Sequence, residues 1–166
     1  MDASMTYISD AAAPELTVVV PMYNEAANLS PLVARLTPVL ERCVASYEIV
    51  FVDDVSIDET LMALRQAHLS DPRLRAVSFS RNFGKEAALT AGLDQTCGEA
   101  VIILDADLQD PPELVTEMVA QWRAGFDVVF EQTDWLQGWK DATIMKAMTS
   151  GYRHTHARGM FVGIRS

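Results

Sequence analysis

Residues Val101 to Glu113 read VIILDADLQDPPE, an apolar run that passes straight into four acidic residues, Asp105, Asp107, Asp110 and Glu113, with Gln109 among them. Carboxylates this close repel one another, so their spacing requires either water to dissolve the charge or a cation to neutralise it. The run before them has no polar alternation, which suits a strand buried on both faces. The stretch therefore predicts a core strand, Ala100 to Leu104, that delivers acids to one edge of a parallel sheet.

Upstream, the same grammar repeats. Leu16 to Pro21 (LTVVVP) is a β-branched run, followed by a helix that opens at Ser30 and Pro31 and carries Leu32, Val33, Leu36, Val39 and Leu40 at helical spacing. Pro38 falls inside it, where a lost hydrogen bond costs about 3 kcal/mol and predicts a kink or a break. Next come a strand over Tyr47 to Val52 and a helix from about Ser56, which with Glu59 has capping-box spacing. A strand over Leu74 to Phe79 and a helix from about Lys85 precede the core strand. Pro111 and Pro112 open a further helix that ends near Gly125, and Asp127 to Phe130 supplies a fifth strand. Strictly alternating strands and helices predict an α/β fold, a mostly parallel sheet with helices on both faces. After Phe130 no clear period survives, and the closing SGYRHTHARGMFVGIRS shows neither strand nor cap.

The 166 residues suit one folded unit, and 49% hydrophobic residues exclude a disordered chain. A formal net charge of -10 argues against a surface for bare nucleic acid or an anionic membrane, both of which need clustered Lys and Arg. Local phosphate binding stays open. Cys43 and Cys97 lie outside any CxxC or Cys/His cluster, so they are expected to be ordinary thiols of a reducing, cytoplasmic compartment. Residues 1–15, with Asp2 and Asp10 where a signal peptide would be basic, are expected to form a loose leader. No segment approaches the roughly 18 apolar residues of a membrane span.

Ligands of open parallel sheets bind beyond the carboxyl ends of the strands, where the strand order reverses. Those ends carry Tyr23, Asn24 and Glu25 after the first strand, and Asp53 and Asp54 after the second. Arg81, Asn82 and Lys85 follow the third, and Asp105 and Asp107 the fourth. A capped loop explains any one of these; four strands ending alike favour a shared site. No GxGxxG follows the first strand and no GxxxxGK[ST] occurs, so phosphate must be held differently. Asp105-x-Asp107 with Gln109 offers oxygen ligands to Mg²⁺ or Mn²⁺, which can bridge to substrate phosphates. A phosphorylation-controlled receiver domain also sets acid pairs on a parallel sheet, but after its first strand, where this chain has PMYNE.

VVVPMYNEAANL, EIVFVDDVSIDET, FSRNFGKEAALTAGL and VIILDADLQDPPELV resemble, in order, the motifs of family 2 glycosyltransferases of the GT-A fold. Within that family they resemble the branch of the polyprenyl-phosphate (bactoprenol) glucosyltransferases and dolichol-phosphate mannose synthases. The resemblance implies that Pro21, Tyr23, Glu25 and Asp53, with Asp54 beside them, surround the base and ribose of a nucleotide sugar. It sets Asp105 by the ribose and diphosphate and has Asp107 and Gln109 ligate the metal with it; Arg81 and Lys85 lie in the segment that closes over the donor. Residues 16–130 would form the donor-binding domain and 131–166 an acceptor-side segment. The implied reaction is a metal-dependent, inverting hexose transfer from a UDP-glucose or GDP-mannose type donor to a polyprenyl phosphate. Membrane contact would be peripheral or through a partner chain. Some of Lys140, Lys146, Arg153, Arg158 and Arg165 would hold the acceptor phosphate, although scattered basic residues are more often plain surface.

Two departures from the pattern stand out. Val55 occupies the usual glycine position of the DDVS motif, where glycine permits a positive φ that a β-branched residue resists. Past KAMTSGYR the sequence reaches RGMFVGIRS almost at once, as though an intervening acceptor segment had been deleted. A donor-binding remnant without turnover, or a module completed by a partner, is the competing expectation.

Overall fold

The computed structural model describes residues 13–109, 111–125 and the backbone of 161–163. Strands β1 (Leu16–Met22), β2 (Tyr47–Asp53), β3 (Leu74–Ser78), β4 (Ala100–Ile103) and β5 (Phe161–Gly163) form one sheet in the order β3-β2-β1-β4-β5. Every pairing is parallel; Val19 stands opposite Val50 on one side and Ile103 on the other. Helices α1 (Ala26–Cys43), α2 (Thr60–Ser70), α3 (Lys85–Asp94) and α4 (Leu114–Arg123) connect the strands.

Side chains alternate across each strand, and the helices divide accordingly. Leu16, Val18, Val20 and Met22 join Ile49, Phe51 and Ile102 under α1, α2 and α4 in the larger core cluster. Val19, Val101 and Ile103 pack against Leu89 and Leu93 of α3 on the opposite face, with Val50 and Val52 against Ala88. Burying both faces is what the unbroken apolar runs required. α3 lies very close: a Cβ on Gly92 would overlap Val19 Cγ1 and stand 3.1 Å from Val52 Cγ2. At the amino end of the sheet, nearly buried Glu48 is satisfied by Thr17 Oγ1 (2.8 Å), Arg75 Nη1 (2.8 Å) and the Cys97 N–H (3.1 Å).

Several boundaries differ from the sequence expectation. α1 begins at Ala26, not at Ser30, and runs unbroken through both Pro31 and Pro38. Its buried face, Leu29, Leu32, Leu36, Val39 and Leu40, carries the helix past the missing N–H. The Ser56–Glu59 capping box does not form. Ser56 Oγ instead accepts the Asn24 N–H at 2.8 Å, and α2 starts at Thr60, whose N–H Asp58 Oδ1 accepts at 3.0 Å. Pro111 and Pro112 form the turn before α4, their carbonyls accepting the N–H groups of Leu114 and Val115. Gly125, at φ +98°, follows the helix as expected of a stop. The strand expected over 127–130 lies outside the described residues. The fifth strand observed, β5, arises in a tail that shows no strand period; a three-residue strand is too short to display one.

Candidate functional site

The chain crosses from β1 to β2 through α1 on one face, and from β3 to β4 through α3 on the other. The strand order therefore reverses between β1 and β4, the crevice where open α/β sheets bind ligands. The loops that leave the carboxyl ends of these strands border that crevice.

Period-two geometry decides which acids face which helix. Asp53 ends β2 on the α1–α2 side and is 1% exposed; its Oδ2 accepts Ser78 Oγ–H at 3.0 Å and its Oδ1 the Ser56 N–H at 3.2 Å. Asp54 and Asp105 fall on the α3 side. Asp105 is nine-tenths buried and accepts a 2.7 Å bond from Lys85 Nζ, while the lysine remains half exposed. The structure thus joins two residues twenty positions apart, from separate motifs. Asp54, 4% exposed, accepts the Phe83 N–H on Oδ1 (2.7 Å) and the Gly84 N–H on Oδ2 (2.8 Å), and its carbonyl accepts Asn82 Nδ2–H (3.1 Å). The Asp54 carboxylate, expected beside a bound nucleotide, is here engaged at both oxygens by the backbone of the neighbouring loop.

The other predicted residues lie at or just beyond the carboxyl ends of the same strands. Pro21 is buried in β1 opposite Val52, and Tyr23 just beyond it is 51% exposed. Glu25 precedes α1; its Oε2 accepts Asn28 Nδ2–H at 2.6 Å. Arg81 lies exposed with its guanidinium 4.6 Å from the Phe83 ring centroid. Asp107 Oδ1 accepts the Gln109 N–H at 3.1 Å, tying these two in one turn that passes through Leu108 at φ +61°.

The crowding of acids after β4 has a two-part answer. Lys85 neutralises Asp105, and Arg35 of α1 reaches Glu113 at 2.8 Å. The Glu113 backbone N–H and Arg35 together hold the Glu113 carboxyl below its usual range. Asp110 lies outside the described residues. Among the described residues no three His, Cys, Asp or Glu side chains gather closely enough to cage a metal. Asp105, Asp107 and Gln109 still suit Mg²⁺ or Mn²⁺. Such ions are commonly held by one or two carboxylates, with the substrate's phosphates completing the shell.

Sequence reasoning passed over Ser78, which holds Asp53 through its hydroxyl, because a lone serine carries no pattern, and it read Ser56 only as a helix cap, although its backbone N–H also holds Asp53. It did single out Val55, and the structure places that residue at φ +60°.

A family model described as glycosyl transferase family 2 matches residues 17–159. The chain belongs to glycosyl transferase family 2. Among family members, it is 53% identical over 116 residues to an uncharacterised glycosyltransferase of Synechocystis sp., covering 70% of this chain and 36% of the relative. It is 42% identical over 115 residues to the bactoprenol glucosyl transferase of Shigella phage SfX, covering 69% and 38%. Of solved structures, a mannosyltransferase from Pyrobaculum calidifontis in complex with GDP-Man and Mn²⁺ superposes with a TM-score of 0.58 at 28% identity, over 76% of this chain and 39% of that one. The GT-A fold expected from the motifs is the fold found. The chain thus spans little more than a third of the length of these relatives. Among the described residues no helix is long and apolar enough to cross a membrane.

Proposed function

We propose that this chain is a metal-dependent, inverting glycosyltransferase domain that moves a hexose from a UDP-glucose or GDP-mannose type donor to a polyprenyl phosphate. The observation that carries the reading is the meeting of Asp105 and Lys85, 2.7 Å apart, beside the β1/β4 switch point of a family 2 fold. The bactoprenol glucosyl transferase relatives support the acceptor class, and the GDP-Man and Mn²⁺ complex supports the donor and metal class.

In this reading Pro21, Tyr23, Glu25 and Asp53 border the base and ribose. Asp105, with Asp107 and Gln109, would hold Mg²⁺ or Mn²⁺, which supplies a charge to stabilise the departing diphosphate. Lys85 and Arg81 add cations beside that diphosphate, so part of the leaving-group charge is met by the chain itself. A polyprenyl phosphate oxygen is already anionic at neutral pH, so the site needs alignment of acceptor and anomeric carbon more than a strong base. Residues 16–130 would bind donor and 131–166 would lie toward the acceptor. The lipid acceptor would draw the chain to the cytoplasmic membrane face, peripherally or with a partner.

The test is release of nucleoside diphosphate from UDP-glucose or GDP-mannose with Mn²⁺, with and without polyprenyl phosphate. Acceptor-dependent release is expected. Donor binding with no diphosphate under any acceptor condition would leave a donor-binding module and end the transferase reading.

A further inference from the structure

We propose that Asp54 is a positioning residue that sets the reach of Lys85, and so controls how tightly a nucleoside diphosphate is held; this rests on the donor-site reading above. Asp54 ties three consecutive residues: Asn82 through its carbonyl, Phe83 and Gly84 through one carboxylate oxygen each, at 3.1, 2.7 and 2.8 Å. Lys85, the first residue of α3, follows at once.

Asp54 is itself fixed. Its N–H donates to the Met22 carbonyl at 3.0 Å, extending the β1–β2 ladder, and its side chain is 4% exposed. The loop therefore has a rigid anchor on the sheet. Gly84 turns into the helix at φ +92°, with no atom within 4 Å of where a Cβ would stand, so glycine is needed there for its backbone angle and not for space. Backbone angle and carboxylate clamp together fix where α3 begins. A lysine stem has four rotatable bonds, and its head group meets a nearly buried carboxylate only if its Cα is well placed. The 2.7 Å contact between Lys85 and Asp105 is the outcome.

An ionised carboxylate accepts at both oxygens, whereas an amide presents one oxygen and one NH₂. Asp54→Asn therefore turns a donor toward either the Phe83 or the Gly84 N–H and frees one end of the clamp.

The experiment measures Kd for UDP and for GDP, each with Mn²⁺, by calorimetry on the full chain, Asp54→Asn, Lys85→Met and the double variant. Acylation of Lys85 is followed by mass spectrometry, with Lys140 as internal standard. A tenfold or greater weakening by Asp54→Asn in the parent background, shrinking below twofold in the Lys85→Met background, supports the positioning role. So does a several-fold faster acylation of Lys85 in Asp54→Asn. A purely structural role predicts equal weakening in both backgrounds and an unchanged acylation rate, and that result overturns the proposal. Should neither nucleotide bind the parent chain, the donor-site reading fails by itself, and the acylation rate decides the positioning role. If Asp54→Asn does not fold, Asn82→Ala, which removes a part-buried tie to the same anchor, is expected to show the same background dependence in smaller measure; equal effects in both backgrounds would overturn it.

Discussion

Lys85 Nζ and Asp105 Oδ2 stand 2.7 Å apart, so the cation that opens α3 rests against the acid that follows β4. The pair is lopsided: the lysine is half exposed and the aspartate nearly buried. Asp105 therefore depends on a neighbouring cation more than Lys85 depends on an anion. That asymmetry separates the expected behaviour of the acids in this loop.

Asp107→Asn is expected to weaken Mn²⁺-dependent nucleotide binding about tenfold, near 1.4 kcal/mol, while leaving metal-free binding unchanged. Asp105→Asn should lower both, because it also removes the partner of Lys85. Calorimetry with and without Mn²⁺ distinguishes the two; identical profiles for both variants would refute the assignment.

Val55→Gly should stabilise the fold. A β-branched residue held at φ +60° stores about 1–3 kcal/mol, and glycine gives back up to about 1 kcal/mol in chain entropy. A net gain near 1 kcal/mol is expected in urea unfolding, with a smaller gain in nucleotide affinity through adjacent Ser56 and Asp53. An unchanged unfolding midpoint would show the strain to be absorbed elsewhere.

Gly92→Ala should destabilise by about 1–3 kcal/mol, because the new methyl enters the space of Val19 Cγ1. The backbone of α3 must then lift from the sheet and carry Lys85 with it, so nucleotide binding should fall as well. Val19→Ala opens room, and the double variant is expected to lose less than the sum of the singles. Strict additivity would argue against the contact.

Acid should loosen the link between β1 and α4. Burial pushes the Glu15 carboxyl up, but the hydrogen bonds from Arg123 and from the Ala45 N–H, with the charge of Arg123, outweigh it and leave the group below its usual 4.5. A depressed folded-state value means the contribution is present above the unfolded value and is lost as pH falls through the folded one. The thermal midpoint should therefore drop below about pH 4.5 more steeply in the parent chain than in Glu15→Gln. Parallel curves would count against the link.

Much was legible in the chain itself. Apolar runs without alternation, each followed by polar residues, specify buried parallel strands with one functional edge, and burial on both faces leaves little choice of fold. Tyr23, Asp53, Asp105 and Lys85 were all marked as edge residues on that ground. Val55 was marked by the family resemblance, which has glycine at that position, together with a β-branched side chain's local intolerance of positive φ.

What the linear order could not assign was partnership. Asp53 and Asp54 are adjacent and chemically identical, yet the half-turn between successive strand residues sends one to Ser78 and the other to the start of α3. Capping suffered likewise: Ser56 has the right spacing, but a tertiary bond from Asn24 claims its oxygen first. Residue types and their periods settled the layers and the edge. Which carboxylate clamps a loop and which one meets a cation was decided only when strand order and register brought distant segments within bonding distance.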